Sequence, residues 1–307
     1  MSTMNEMSRL QLACREKSPL CIGLDTDISY IPQSVAQKFS SPTEAVLAYN
    51  KGIIDTAKKY AGCFKVQIAY YEAMGLEGLS VYAQTLKALR SAGISVISDI
   101  KRGDIADTAK AYARAHFTGD FETDIITINP YMGFDTLEPF IEYADKEGKG
   151  IFVLLRTSNP GMTDIEKQEL SSGGAVLDRV GQQLMKIADR FGFGTDGTNG
   201  CSPVGAVVGC TEESDALQLR NTYSPIFFLI PGYGAQGGAA RIAATLLKNA
   251  GGAVNSSRGI LCAWKKAENL AEKRDAGTLT MDDIVGAAAD AAEKATADLK
   301  NAFDSLK

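Results

Sequence analysis

The sequence predicts an α/β protein, a closed parallel (β/α)8 TIM barrel with an enlarged fifth βα unit. Three observations predict it. Eight short apolar runs alternate with stretches of helical periodicity, the pattern of a parallel sheet covered by helices. Polar and charged residues gather at the C-terminal ends of those runs, where a barrel carries its active site. A glycine-rich loop after the seventh run is followed, one unit later, by an arginine. A doubly wound open sheet is the competing architecture.

Residues 1–18 read as an amphipathic helical lead-in. The first strand falls in 19–25, Pro-Leu-Cys-Ile-Gly-Leu-Asp, a short apolar run that ends in a carboxylate. Helical spacing follows at 43–60, then a second strand at 63–69 that carries Lys65. The same alternation gives a helix at 77–91, a strand at 94–101, a helix at 104–116 and a strand at 124–129. A helix at 135–146 and a strand at 150–156 come next. The fifth unit is the long one: 158–174 and 192–202 are loops by composition and frame a helix at 176–191. The last units are a strand at 204–209, a helix at 212–220, a strand at 226–230, a helix at 239–250 and a weak strand at 252–255. A long alanine-rich helix closes the chain at 281–306. No internal repeat or convincing linker interrupts this order, so 1–307 is expected to be a single domain.

Composition narrows the function classes. A hydrophobic content of 45% supplies a soluble core, and a net charge of −5 argues against nucleic acid as the main partner. No apolar stretch reaches the length of a membrane span, and the N-terminal residues lack the apolar region of a secretory signal, so a cytoplasmic protein is expected. None of the six cysteines has Cys-x-x-Cys spacing, which weakens zinc and thioredoxin-like readings; several lie inside apolar runs and read as reduced core residues. The one histidine, His116, rules out Ser-His-Asp triads and multi-histidine metal sites. Acid–base chemistry therefore falls to Asp, Glu, Lys or Tyr.

The stretch 98–108, Ser-Asp-Ile-Lys-Arg-Gly-Asp-Ile-Ala-Asp-Thr, stands where the third strand ends. Asp99 and Lys101 are two apart and share one face of a strand, and Asp104 follows one short turn later. An ammonium set between carboxylates is a candidate general acid rather than a nucleophile. A surface ion pair at a strand end has the same pattern. Asp25 and Lys65 end or line neighbouring strands, so alternating charges converge on one mouth, where pairing offsets the cost of burial. After the seventh strand, Pro-Gly-Tyr-Gly-Ala-Gln-Gly-Gly at 231–238 leads into a helix and can present N–H groups to an anion. Arg258, in Asn-Ser-Ser-Arg-Gly at 255–259, would add a charged fork, and Gln236 a neutral donor or acceptor. Together they point to a phosphate site. Neither a Gly-x-Gly-x-x-Gly after the first strand nor a Walker loop is present, and no cofactor is indicated.

Asp-Ile-Lys-Arg-Gly-Asp-Ile at 99–105 resembles the Asp-x-Lys-x-x-Asp signature of the orotidine 5′-phosphate decarboxylase family. Phe-Lys-Val-Gln at 64–67 and Asn-Pro-Tyr-Met-Gly-Phe-Asp at 129–135 are similar to its longer bacterial (type 2) subgroup, and the two phosphate elements fit as well. The resemblance covers about residues 19–262. It implies decarboxylation of orotidine 5′-phosphate to uridine 5′-phosphate and CO2 without metal or cofactor. It implies Lys101 as proton donor to C6 of the pyrimidine, Asp99 against the departing carboxylate, and Lys65 and Asp104 completing the network. It implies a homodimer with shared sites, Asp104 reaching in from the second subunit together with Ile105 and Thr108. Asp25 and Lys65 would contact the ribose, Ser158 the pyrimidine amide edge, and Gln236, Ser257 and Arg258 the phosphate end. Ile100 stands where the subgroup usually has alanine, and the segment 162–202 has no counterpart in this mapping. Two rivals stand beside this reading. One is a magnesium-dependent sugar-phosphate decarboxylase or aldolase on the same barrel, with carboxylates as ligands. The other is a nucleotide-binding protein without catalysis.

Overall fold

The computed structural model describes residues 4–192, 200–233 and 238–306. Eight parallel strands close in sequence order into a barrel. They are β1 (Leu20–Gly23), β2 (Cys63–Gln67), β3 (Ser95–Arg102), β4 (Ile125–Ile128), β5 (Gly150–Arg156), β6 (Val204–Val208), β7 (Phe228–Ile230) and β8 (Gly252–Ser256). Closure is made by β1 pairing β8, with Cys21 opposite Asn255.

Each strand has two faces, and each face feeds a separate core. Outward residues such as Ile22, Phe64, Val96, Ile126 and Val153 pack under the surrounding helices. Inward residues Cys21, Cys63, Ile97, Ile125, Phe152 and Phe227 fill the lower barrel. The helix Glu6–Glu16 closes that end. Asn5 caps it by accepting from Ser8 N at 2.8 Å, and Met7, Leu10 and Cys14 face the barrel interior. Its polar side chains bind the segments that lead into strands: Gln11 Nε2 donates to Ala250 O at 2.7 Å and Ser8 Oγ to Cys201 O at 3.1 Å.

Local chemistry sets the other boundaries. Ser41 accepts from Glu44 N and Pro42 opens the helix Pro42–Ala57. A Thr280–Asp283 capping box starts the C-terminal helix Met281–Asp304. These two helices pack closely: a Cβ on Gly52 would lie 2.7 Å from Val285 Cγ1. The strand expected at 63–69 stops at Gln67, because the Gln67 side chain accepts from Ala69 N at 3.2 Å and caps a short helix, Ile68–Glu72. The helix expected at 104–116 starts later, at Ala106, where Asp104 Oδ1 takes the N–H of Ile105 and Ala106 has φ +47°. The helix expected at 239–250 ends at Leu246.

The fifth βα unit is enlarged as expected. A 3-10 turn, Pro160–Asp164, and a bridge between Glu169 and Ala175 precede the helix Val176–Arg190. Glu166 anchors the excursion by accepting from Thr157 N at 3.0 Å and Thr157 Oγ1 at 2.6 Å. Residues 193–199 of the loop expected at 192–202 lie outside the described residues. All six cysteines are free thiols. His116 is buried and stacked on Phe121, and burial lowers its imidazole to about 4, the environment of a neutral packing residue.

Candidate active site

The upper barrel interior is charged. On β2 the inward position after Cys63 is Lys65, and on β3 the one after Ile97 is Asp99. β1 ends at Gly23 and hands over to Asp25, while β8 hands over to Ser257. Two strands and two strand ends therefore deliver these four side chains to one mouth. A Cβ on Gly23 would lie 1.9 Å from Ser257 Oγ, so only glycine leaves Ser257 room to approach β1.

Ser257 Oγ donates to Asp25 Oδ2 at 2.7 Å, and Asp25 Oδ1 faces Lys65 Nζ at 2.8 Å. Lys65 Nζ continues to Asp99 Oδ2 at 3.1 Å, and Asp99 Oδ1 receives Lys101 Nζ at 2.6 Å. The result is an unbroken row of alternating charges. Burial alone would raise the Asp99 carboxyl, but Lys65 and Lys101 overcome it and hold the group at about 2. Burial likewise opposes the Lys65 cation, and Asp99 and Asp25 outweigh it, so its ammonium is raised above the ordinary lysine value. Lys101 ends the row and is half-exposed, with 44% of its side chain accessible against 9% for Asp99. A cation held by one carboxylate on a half-exposed side chain can meet a reacting atom.

Of the residues singled out in the sequence, Asp25, Lys65, Asp99, Lys101 and Ser257 come together. Asp104 stands apart: its carboxylate accepts from Ile105 N at 2.8 Å and forms no ion pair among the described residues. The expected Asp99–Lys101–Asp104 relay is thus not closed within one chain. Ile105 and Thr108 are exposed beside Asp104. Ser158 is exposed past β5 and packs near Gly209 at the end of β6. Arg258 is exposed as the first residue of the helix Arg258–Leu261, next to Ser257. Tyr233 N donates to Asn255 O at 3.2 Å and brings the start of the glycine-rich loop against β8. Gln236 lies outside the described residues.

Three contributors went unnoticed in the sequence. Gln67 Nε2 donates to Asp99 Oδ2 at 3.0 Å, Thr127 Oγ1 to Asp99 Oδ1 at 2.8 Å, and Asn255 Nδ2 to Ser257 Oγ at 3.1 Å. Their signal was phase: each is a polar residue at an inward position near a strand end. Asn129, at the end of the expected fourth strand, accepts from Tyr131 N at 2.9 Å within its own turn. Among the described residues no group of three His, Cys, Asp or Glu side chains could hold a metal ion. A cavity of about 610 Å³ opens beside the ends of β4 and β5, lined by Asn129, Leu154, Thr157 and Met162 among others.

Residues 18–272 match the family described as the Orotidine 5′-phosphate decarboxylase / HUMPS family. The chain is 50% identical over 270 residues to the orotidine 5′-phosphate decarboxylase of Clostridium perfringens (strain SM101 / Type A), covering 87% of this chain and 93% of that one. It is 49% identical over 264 residues to the enzyme of that name from Clostridium acetobutylicum, with 86% and 91% covered. The solved structure of Leishmania donovani OMP decarboxylase matches with a TM-score of 0.69 at 28% identity, covering 97% of this chain and 99% of that one.

Proposed function

This chain belongs to the orotidine 5′-phosphate decarboxylase / HUMPS family, and from that membership we propose how it works. It decarboxylates orotidine 5′-phosphate to uridine 5′-phosphate and CO2, the last step of de novo UMP synthesis, as a carboxy-lyase. The observation that carries the mechanism is the row Asp25–Lys65–Asp99–Lys101, closed at one end by Ser257 and open at Lys101.

Breaking the bond from C6 to the carboxylate leaves its electron pair in the plane of the ring, where no π system absorbs it. CO2 departs, and the pair must be met by positive charge. The Lys101 ammonium supplies that charge and then gives a proton to C6; solvent returns a proton to the amine. Asp99 is ionised at neutral pH and stands against the substrate carboxylate, so repulsion is relieved as CO2 leaves. Lys65 keeps Asp99 charged and, with Asp25, meets the ribose. Ser158 binds the amide edge of the pyrimidine. Gln236 and Arg258 hold the phosphate, whose binding energy orients the ring, and Ser257 serves substrate binding through Asp25.

Asp104, Ile105 and Thr108 complete the neighbouring site of a homodimer. The exposure of Ile105 and Thr108, and the absence of an in-chain ion pair for Asp104 among the described residues, support that reading. We read 1–307 as one barrel domain working in the cytoplasm; among the described residues no helix is long and apolar enough to cross a membrane. Neither nucleic acid nor a membrane is a partner in this reading. The magnesium-dependent alternative is disfavoured by Lys65, whose ammonium takes the place between Asp25 and Asp99 that a cation would need.

The test is the ultraviolet absorbance of orotidine 5′-phosphate mixed with the protein and excess EDTA. Loss of the substrate band with uridine 5′-phosphate as product is expected. Turnover of a sugar phosphate only after Mg2+ is restored would move the assignment to the metal-dependent relatives.

A further inference from the structure

β3 and β4 lose register where the reacting residues stand. Ser98 pairs with Ile126 and Arg102 with Ile128, so β3 carries Asp99, Ile100 and Lys101 across the span that β4 crosses with Thr127 alone. Such a bulge re-aims side chains and removes ladder partners. The N–H groups of Ile100 and Lys101 turn instead to Thr127 Oγ1, each at 3.0 Å. The same hydroxyl donates to Asp99 Oδ1 at 2.8 Å. A hydroxyl has one proton and two lone pairs, and here all three are used.

Lys101 itself has φ +45°, a left-handed conformation that a residue with a Cβ holds only when its surroundings impose it. Thr127 is fully buried, and β-branching stiffens its side chain. One fixed oxygen thus grips the backbone of Lys101 and the carboxylate that receives its ammonium at 2.6 Å. No other hydrogen bond from β4 to Asp99 is present among the described residues.

We propose that Thr127 is a positioning residue for the reacting pair: its hydroxyl holds the bulge that sets where the Lys101 ammonium stands relative to Asp99. The proposal rests on Lys101 being the proton donor, and it separates positioning from substrate binding. Removing the hydroxyl should impair turnover and spare affinity, because Thr127 is fully buried and its hydroxyl is spent on Asp99 and the β3 backbone.

The experiment compares Thr127→Val with Thr127→Ser. Steady-state decarboxylation, affinity for uridine 5′-phosphate and the ligand-free crystal structure are measured for each. Thr127→Val keeps the branched shape and loses the hydroxyl; kcat is expected to fall about 100-fold, the scale of an ångström-sized misplacement. Affinity should stay within about threefold, and Lys101 should leave its positive φ, if Thr127 acts on the lysine's place alone. Thr127→Ser keeps the hydroxyl and should retain kcat within about threefold. A wild-type kcat in Thr127→Val, or an equal loss in Thr127→Ser, overturns the proposal. If Thr127→Val does not fold, Thr127→Cys replaces it, with an expected loss of about tenfold from a weak donor; a wild-type kcat there overturns the proposal as well. Failure of the wild-type protein to consume orotidine 5′-phosphate would instead count against the functional reading. The positioning proposal is then decided by the crystal structures, where an unmoved Lys101, still 2.6 Å from Asp99, contradicts it.

Discussion

The two ends of the barrel interior are built on the same strands and differ in almost everything else. Low in the barrel, Cys63, Ile97, Ile125, Phe152 and Phe227 make a dry core sealed by the N-terminal helix. Two residues further along β2, β3 and β4, the inward positions hold Lys65, Asp99 and Thr127. Two residues of strand are roughly 6.6 Å. Over that distance the interior passes from a region that holds the fold to one that holds charges. Burying ions is costly, and the alternating order of Asp25, Lys65, Asp99 and Lys101 is what makes it tolerable. The lower end secures the strands; the upper end uses their rigidity to fix charges within hydrogen-bonding distance of each other.

This contrast can be broken by substitutions that cross it. Phe152→Ala empties part of the lower core beside Phe227 and should lower stability by about 3–5 kcal/mol. Well below its melting temperature the variant should keep kcat within about twofold, since the upper row is untouched. Chemical denaturation and steady-state assay check both halves; a large loss of kcat in the folded variant would mean the two ends are coupled.

Acid sharpens the contrast from the other side. The folded Asp99 carboxyl is held at about 2, below its ordinary value, so the unfolded chain takes up its proton first as pH falls. The stabilisation is complete above about pH 4 and disappears as pH falls through about 2, and it amounts to roughly 2 kcal/mol. The stability gap between wild type and Asp99→Asn, measured by urea unfolding, should therefore shrink by about half between pH 5 and pH 3. A gap independent of pH would show that Asp99 is not held down by its lysines.

The smallest effect expected is at Gly23. A Cβ there drives Ser257 away from Asp25 without touching Lys101. Gly23→Ala should raise KM about tenfold, the equivalent of one lost hydrogen bond, and change kcat little. Equal falls in kcat and kcat/KM would place Ser257 in the chemical step.

Much of this was legible in the sequence, for reasons that can be named. The barrel was readable because each strand is a short apolar run followed by helical sequence, and the first five end in or run into polar residues. Asp25, Lys65, Asp99 and Lys101 were readable because charges at buried strand ends need partners, and the signs alternate. Thr127 was not, because a threonine inside a strand is ordinary; only the β3–β4 bulge gives its hydroxyl a purpose. Gln67 was hidden because it both caps a helix and reaches Asp99. Asp104 is near Lys101 in sequence, yet its carboxylate turns to its own backbone and accepts from Ile105 N at 2.8 Å. Proximity in sequence did not predict that.

The measurement that bears most directly on the whole account is turnover and ligand affinity of Lys101→Ala. Lys101 is half-exposed at the end of the row and pairs there with Asp99 alone among the described residues, so the variant should fold and bind uridine 5′-phosphate. Its kcat should fall by about 10⁴-fold or more, since it lacks both the proton and the charge that meet the forming carbanion. A folded Lys101→Ala that decarboxylates within about tenfold of wild type would contradict the central role given to this lysine.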